Sequence, residues 1–300
     1  MRIGVDLGGT KIEALALGDD GRELSRIRVP TPRGYEASLD AISGLVHEVE
    51  RAAGGHGTVG IGIPGAIVPG TGLVKNANSV WLNGQPLARD LESRLSRPVR
   101  MTNDANCFAL SEATDGAAVG AGVVFGVILG TGVGGGIVVD GRALDGVNLV
   151  AGEWGHNPLP WMLPDEYPGP DCYCGKRGCI ESVLSGPAFE REFCERTGRR
   201  TSSPEILAAA ATGDADATTA VTRYHDRLAR AFSSVINLLD PDVIVLGGGM
   251  SNMKGLAEAT SALLPKYVFS DSVVTRVTRN KHGDSSGVRG AAWLWPESHG

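Results

Sequence analysis

Aromatic residues are scarce, at 5% of 300 residues, so a core has to be assembled from valine, isoleucine, leucine and alanine. Positive charge is not in excess either. Lys and Arg number 28 against 34 Asp and Glu, a formal charge of −6, which argues against a nucleic-acid surface, since that needs a clustered basic excess. The 43 glycines, about one residue in seven, follow no collagen-like period and form no low-complexity tract, so they are expected at particular tight turns. A hydrophobic content of 42% excludes a disordered chain. The phosphate-loop pattern Gly-x4-Gly-Lys-Ser/Thr is missing, because Gly175-Lys176 is followed by Arg177. Asp6 interrupts the apolar start, so no secretory signal is expected there. One long uncharged stretch exists, the 24 residues 116–139, but nine of them are glycine, which reads as two buried strands around a glycine turn rather than a membrane helix. A cytoplasmic location follows as the expectation, and with it five cysteines kept as thiols.

Strands and helices alternate along the chain. Residues 1–7, 12–17 and 25–29 read as three strands, the first two joined by Gly8-Gly9-Thr10-Lys11. Leu39, Ile42, Leu45 and Val49 mark one face of a helix over 36–53. Short strands are expected at 59–63 and 97–101, and a helix from 105 to 114. The pattern strand, glycine loop with a threonine, strand returns at 123–139 and suggests an internal duplication. A helix starts at Ser203-Pro204-Glu205, a longer one spans 217–239, a strand covers 242–246, and helices follow from 252 and over 287–295. Small residues near 116 place a domain boundary between 1–116 and 117–300, with the last helix free to pack back on the first part. The class is α/β in two similar halves.

Three glycine loops follow strands: Asp6-Leu7-Gly8-Gly9-Thr10-Lys11, Gly130-Thr131-Gly132-Val133-Gly134 and Gly247-Gly248-Gly249. Without side-chain bulk their backbone N–H groups can approach phosphate oxygens, although glycine turns between strands also occur for purely structural reasons. Asp6 could hold Mg²⁺ directly or through water. Gly130, Gly132 and Gly135 spell a dinucleotide fingerprint, but a strand and not a helix follows, so that reading fails. His156, Cys172, Cys174 and Cys179 form H-x15-C-x-C-x4-C, a complete tetrahedral donor set for a closed, structural Zn²⁺ site. His156 would use one ring nitrogen for the metal and keep the other for a sugar or a supporting group. Cys107 and Cys194 fall in helical patterns and read as core, while His47, His56, His225 and His299 read as surface or helix residues and His282 has no assigned role. Asp104, standing between a strand and a helix, reads either as a helix cap with Asn103 or as a carboxylate pointing into a cleft.

Two glycine hairpins about 120 residues apart with a third glycine loop resemble the duplicated actin-like ATPase (ribonuclease H-like) fold, which implies two lobes and an inter-lobe cleft. Asn103-Asp104-Ala105-Asn106, Glu153-Trp154-Gly155-His156 and the run Cys172 to Glu181, together with the first two loops, resemble the ROK family of repressors and sugar kinases over essentially the whole chain. The segment Lys75-Asn76-Ala77-Asn78-Ser79-Val80-Trp81-Leu82-Asn83-Gly84 and the tail Lys281-His282-Gly283-Asp284-Ser285-Ser286-Gly287 resemble its bacterial fructokinases. The resemblance implies ATP with Mg²⁺ as cosubstrate, Asp104 as the base, and D-fructose phosphorylated at its 6-hydroxyl. It implies phosphates on Asp6, Gly8, Gly9, Thr10, Lys11, Gly130, Thr131 and Gly132, and adenosine against Gly247, Gly248 and Gly249. Sugar contacts would come from Gly65, Asn78, Asn103, Asp104, Glu153, His156 and Glu181, and the assembly would be a homodimer. Mannose, glucose or N-acetylglucosamine are alternative acceptors. A sugar-responsive repressor is the other class, and it is disfavoured because no room for a DNA-binding module precedes Asp6.

Overall fold

The computed structural model describes residues 1–77 and 79–295; Asn78, expected to contact sugar, and His299 lie outside the described residues. The strands are β1 (Arg2–Leu7), β2 (Lys11–Leu17), β3 (Glu23–Pro30), β4 (Thr58–Ile63), β5 (Ala66–Ile67), β6 (Val74–Lys75), β7 (Val99–Asn103), β8 (Val123–Leu129), β9 (Val133–Val139), β10 (Arg142–Ala143), β11 (Val243–Gly247) and β12 (Arg276–Arg279). The helices are α1 (Tyr35–Ala53), α2 (Leu87–Leu95), α3 (Asp104–Thr114), α4 (Glu181–Leu184), α5 (Gly186–Thr197), α6 (Ser203–Ala211), α7 (Ala215–Leu239), α8 (Leu256–Leu263) and α9 (Ser286–Ala292). Among the described residues no helix is long and apolar enough to cross a membrane, and the uncharged stretch at 116–139 holds β8 and β9.

The two larger sheets have the orders β3-β2-β1-β4-β7 and β10-β9-β8-β11-β12. Each follows one rule: third strand, second, first, fourth, fifth in its own chain order. That repetition is the structural form of the duplication seen in the two glycine hairpins. The compact units do not follow one cut in the chain. Unit 1 comprises Met1–Gly120, Gly136–Ala151 and Lys281–Gly300, and unit 2 comprises Ala121–Gly135 and Gly152–Asn280.

In unit 1, β1 pairs antiparallel with β2 and parallel with β4, which pairs parallel with β7. Strand alternation sends Ile3, Val5 and Leu7 into a core with Leu39, Ile42, Val46 and Val49, the apolar stripe of α1. Gly4 and Asp6 take the opposite face of β1. There α9 lies directly on the sheet: a Cβ on Gly4 would land on the carbonyl oxygen of Val288, and one on Gly60 on that of Ala291. Gly290 of α9 meets the backbone of Cys107 in α3 in the same manner. Glu112 of α3, fully buried, completes the attachment by accepting hydrogen bonds from Ala117 N (2.8 Å), Lys281 N (3.0 Å) and Ser286 Oγ (2.8 Å). His282 Nε2 donates to the Asp115 carboxylate, 2.9 Å away, so the tail segment 281–287 is a clasp on α3.

In unit 2, β11 runs parallel between β8 and β12. Tyr224, Leu228, Phe232 and Ile236 form the buried stripe of α7, which starts at an Asp214 cap. Two helix ends differ from the sequence reading. The helix expected from 252 begins only at Leu256, because the left-handed Gly255 (φ 77°) separates it from a single 3₁₀ turn. The last helix, expected to reach 295, is α9 and stops at Ala292, its Trp293 amide drawn back to Arg289 and Gly290 carbonyls.

Candidate active site

Unit 1 carries the first glycine loop, between β1 and β2. Gly8 N donates to Lys11 O at 3.0 Å, closing the turn, and a Cβ on Gly8 would press on that oxygen at 2.9 Å. Thr31, which follows β3, holds the loop from outside: its N–H donates to Thr10 O (3.0 Å) and its hydroxyl to Gly8 O (2.7 Å). Gly9 is different. It has an ordinary φ and a Cβ there would meet no protein atom, so the fold gives no reason for glycine. Gly9, Thr10 and the Lys11 side chain reach solvent.

Asp6 sits at the end of β1 opposite Glu13. Its carboxyl lies beside Gly62 and Gly287, where an added Cβ would come within 3.8 and 3.5 Å of its oxygens. Burial, then the neighbouring charge of Asp104, then that of Glu13, push its pKa up to about 6, against a smaller opposing pull from Lys11 and Arg28. Glu13 is buried and paired with Arg28 at 2.6 Å. An Asp held this way is one whose ionised form a divalent cation would favour, which fits oxygen-ligated Mg²⁺.

The strand-to-helix junction from β7 to α3 presents Asn103 and Asp104. Asn103 is the helix cap: its Oδ1 accepts the Ala105 N–H at 2.8 Å, and its Nδ2 donates to Gly65 O at 3.2 Å. Asp104 Oδ1 accepts the same N–H at 2.8 Å, and the residue is exposed. The cap and the outward-facing carboxylate are thus two adjacent residues rather than two readings of one. Gly65 (φ 90°) must be glycine, since a Cβ would strike the backbone of Lys75 and Ala77. The segment after β6 is closed by Asn83, whose side chain accepts from Ala77 N (2.8 Å) and donates to Ala77 O (3.0 Å), while Trp81 Nε1 donates to Ser38 of α1 (3.1 Å).

Unit 2 carries the second and third loops. Gly130 N donates to Gly132 O (2.9 Å), and Gly186 N donates to Gly130 O (2.8 Å). Glu181, the first residue of α4, accepts the Val133 N–H at 2.9 Å, and its Oε2 fills the place of a Gly132 Cβ. Glu181 therefore braces the loop with one oxygen. Gly130 and Gly249, like Gly9, have ordinary φ angles and open space where a Cβ would be, whereas Gly248 (φ 79°) packs on Leu129. In each loop one glycine serves the fold and another leaves room beside exposed backbone. Thr131 is exposed, and Gly247 ends β11 fully inside.

His156, Cys172, Cys174 and Cys179 offer ligand atoms that all lie within 4.8 Å of one another. His156 Nδ1 is 3.6 Å from Cys172 Sγ, and Cys174 Sγ is 3.6 Å from Cys179 Sγ. Tetrahedral zinc with bonds of about 2.3 Å to sulfur and 2.0 Å to nitrogen sets such pairs about 3.5 to 3.8 Å apart, so these two pairs stand at the spacing the ion requires. The other nitrogen of His156 lies 3.0 Å from the Tyr173 hydroxyl, which takes the supporting position. Trp154, wedged between Phe125 and Phe232 and donating Nε1 to Gly134 O (3.0 Å), fixes the 3₁₀ turn that follows exposed Glu153 and ends on His156.

Sequence reasoning missed Thr31, Tyr173 and a polar cluster on the segment 144–151. There Asp145 Oδ1 accepts from Thr102 Oγ1 at 2.8 Å and Asn106 Nδ2 at 2.9 Å, and Lys75 Nζ donates to Asn148 O at 3.0 Å. Asp145-Gly146 signals a turn, and nothing in that signal names α3 as its partner.

The ROK family model matches residues 2–298. An N-acetyl-D-glucosamine kinase of Escherichia coli is 44% identical over 98% of this chain and 99% of its own. Among solved structures, the ROK hexokinase from Thermus thermophilus superposes with a TM-score of 0.87 at 34% identity, covering 98% of this chain and 97% of that one. A ROK family glucokinase from Streptomyces griseus, in complex with glucose and AMPPNP, superposes at 0.77 with 30% identity over 98% of both chains. With hairpin loops, cysteine segment and sheet order all in place over its full length, the chain belongs to the ROK family.

Proposed function

We propose that this chain is an ATP- and Mg²⁺-dependent sugar kinase that phosphorylates D-fructose at its 6-hydroxyl. The observation that carries the phosphoryl-transfer reading is the set of loop glycines, Gly9, Gly130 and Gly249, whose missing Cβ serves no contact within the protein. Backbone N–H groups at Gly9, Thr10, Thr131 and Gly132 would hold phosphate oxygens, with Lys11 and the Thr10 and Thr131 hydroxyls adding donors, while the N–H groups of Gly8 and Gly130 close their turns and shape the loops. Gly248 and Gly249 would line the adenosine, with Gly247 buried behind them at the end of β11. Asp6 would hold Mg²⁺ directly or through water, and the ion would supply positive charge against that which develops on transfer. Asp104 would align the 6-hydroxyl and take its proton late in a loose transition state. Gly65, Asn78, Asn103, Glu153 and Glu181 would bond the remaining sugar oxygens, and His156 would join them only by exchanging the Tyr173 hydroxyl at its Nε2 for a sugar oxygen. A homodimer belongs to the same reading.

Fructose is favoured by the fructokinase-like segments 75–84 and 281–287; N-acetylglucosamine is the second reading, favoured by the 44% identical kinase. A coupled assay over fructose, mannose, glucose and N-acetylglucosamine separates them. Fructose is expected to lead in kcat/KM by at least about tenfold, the scale set by polar groups left unpaired with a wrong sugar. N-acetylglucosamine in the lead selects the second reading.

Zn²⁺ on His156, Cys172, Cys174 and Cys179 would be structural, holding the segment that runs through Cys179 into Glu181 and the second loop. One zinc per chain is expected by atomic emission. Cys179→Ser should lose it and melt on the order of 10 °C lower, as removal of a folding-coupled metal does. Unchanged melting with the metal gone would exclude a structural role.

A further inference from the structure

We propose that Asp145 is a positioning residue for Asp104, acting through Thr102 and Asn106; this rests on Asp104 being the base. Thr102 belongs to β7 and Asn106 to the first turn of α3, so they flank Asn103 and Asp104 on both sides. One oxygen of Asp145 takes a hydrogen bond from each, at 2.8 and 2.9 Å, and Asn106 Nδ2 also reaches Thr102 Oγ1 at 3.1 Å. Thr102 and Asn106 are 8% and 5% exposed, so their hydroxyl and amide need partners within the protein. Asn106 Oδ1 is buried with no hydrogen-bond partner among the described residues. Flipping that amide would set its carbonyl oxygen against the Asp145 carboxylate, so its orientation is locked.

The bend that presents Asp104 is thereby pinned from a distant segment. Two features let Asp145 reach it. Gly136 of β9 brings the strand against the first turn of α3, where a Cβ would collide with the backbone of Ala105 and Asn106. The segment 144–151 is closed by Leu144 N to Ile137 O (2.8 Å) and Ala151 N to Asp145 O (3.3 Å), and Lys75 Nζ ties it at Asn148. Misplacing a catalytic group by an ångström can cost on the order of a hundredfold in rate, which is the scale a pinned junction protects.

The test compares Asp145→Ala, Asp145→Asn, Thr102→Val and Asp104→Asn by steady-state kinetics with the best sugar of the panel, alongside melting curves. Asp145→Ala and Thr102→Val should lower kcat about tenfold or more while the KM for ATP moves less than about twofold. Asp145→Asn, whose carbonyl can accept both hydrogen bonds, should recover to within about threefold of the parent. A parent-like kcat in Asp145→Ala or Thr102→Val, with Asp104→Asn inactive, overturns the proposal and leaves the base intact. Asp145→Asn as slow as Asp145→Ala overturns it too. A parent-like kcat in Asp104→Asn removes the base reading and this inference with it.

Discussion

Asp104→Asn should lose on the order of a thousandfold in kcat, the range that a positioned proton acceptor contributes, and should melt with the parent protein. The substitution keeps the start of α3. The amide oxygen of the new side chain would still accept the Ala105 N–H that Asp104 accepts at 2.8 Å, and Asn103 remains the cap of α3. What disappears is the basicity by which the proposed base would take the proton of the attacking hydroxyl. The KM for sugar should change little, since an amide still hydrogen-bonds a hydroxyl. A kcat within about threefold of the parent would mean that the transfer needs no acceptor at this position.

Asp6→Asn should abolish turnover and at the same time stabilise the protein. Its carboxyl titrates near 6 in the folded chain against an ordinary value of 3.8, chiefly through burial and then through Asp104 and Glu13. The folded state therefore keeps its proton where the unfolded state has already lost it. The contribution of Asp6 to stability is highest below pH 3.8, falls as pH rises toward 6, and stays lower by a constant amount above that. Two pH units correspond to about 2 to 3 kcal/mol at most, discounted for the residual solvent contact of the group. In chelator at pH 8, denaturant unfolding should show Asp6→Asn more stable by about 2 kcal/mol, with the gain shrinking as pH falls through 6. A destabilised variant at pH 8 would show that Asp6 is held by the fold rather than strained within it. Such a trade of stability for charge is expected where a carboxylate is kept to face a cation.

Much of this architecture is legible in the residues because the physics is local. The stripe Leu39, Ile42, Leu45 and Val49 is α1, Gly8 to Lys11 is a hairpin turn, and H-x15-C-x-C-x4-C is a donor set that the chain brings within 4.8 Å. What stays hidden depends on distant partners. Gly4, Gly60 and Gly290 look like ordinary glycines, yet each is small because a helix from the other end of the sequence, or the backbone beneath it, occupies its Cβ position. The start of α8 moves from 252 to Leu256 because Gly255 breaks an otherwise helical run. A cut near 116 cannot reveal that Gly136–Ala151 and Lys281–Gly300 return to the first unit, since the tie is Glu112 and Asp145 meeting residues far away in sequence. The site divides in the same way. Loop glycines and cysteines announce themselves by type and spacing, whereas Thr31, Tyr173 and Asp145 act through one or two hydrogen bonds each, which no periodicity encodes.

Phosphorus NMR of the protein with Mg²⁺, ATP and fructose reads the transfer itself. Fructose 6-phosphate should appear in step with ADP, with no ADP formed when sugar is left out and none from Asp104→Asn on the same timescale. ADP accumulating without a sugar phosphate, or phosphate arriving at another hydroxyl of fructose, would contradict the assignment.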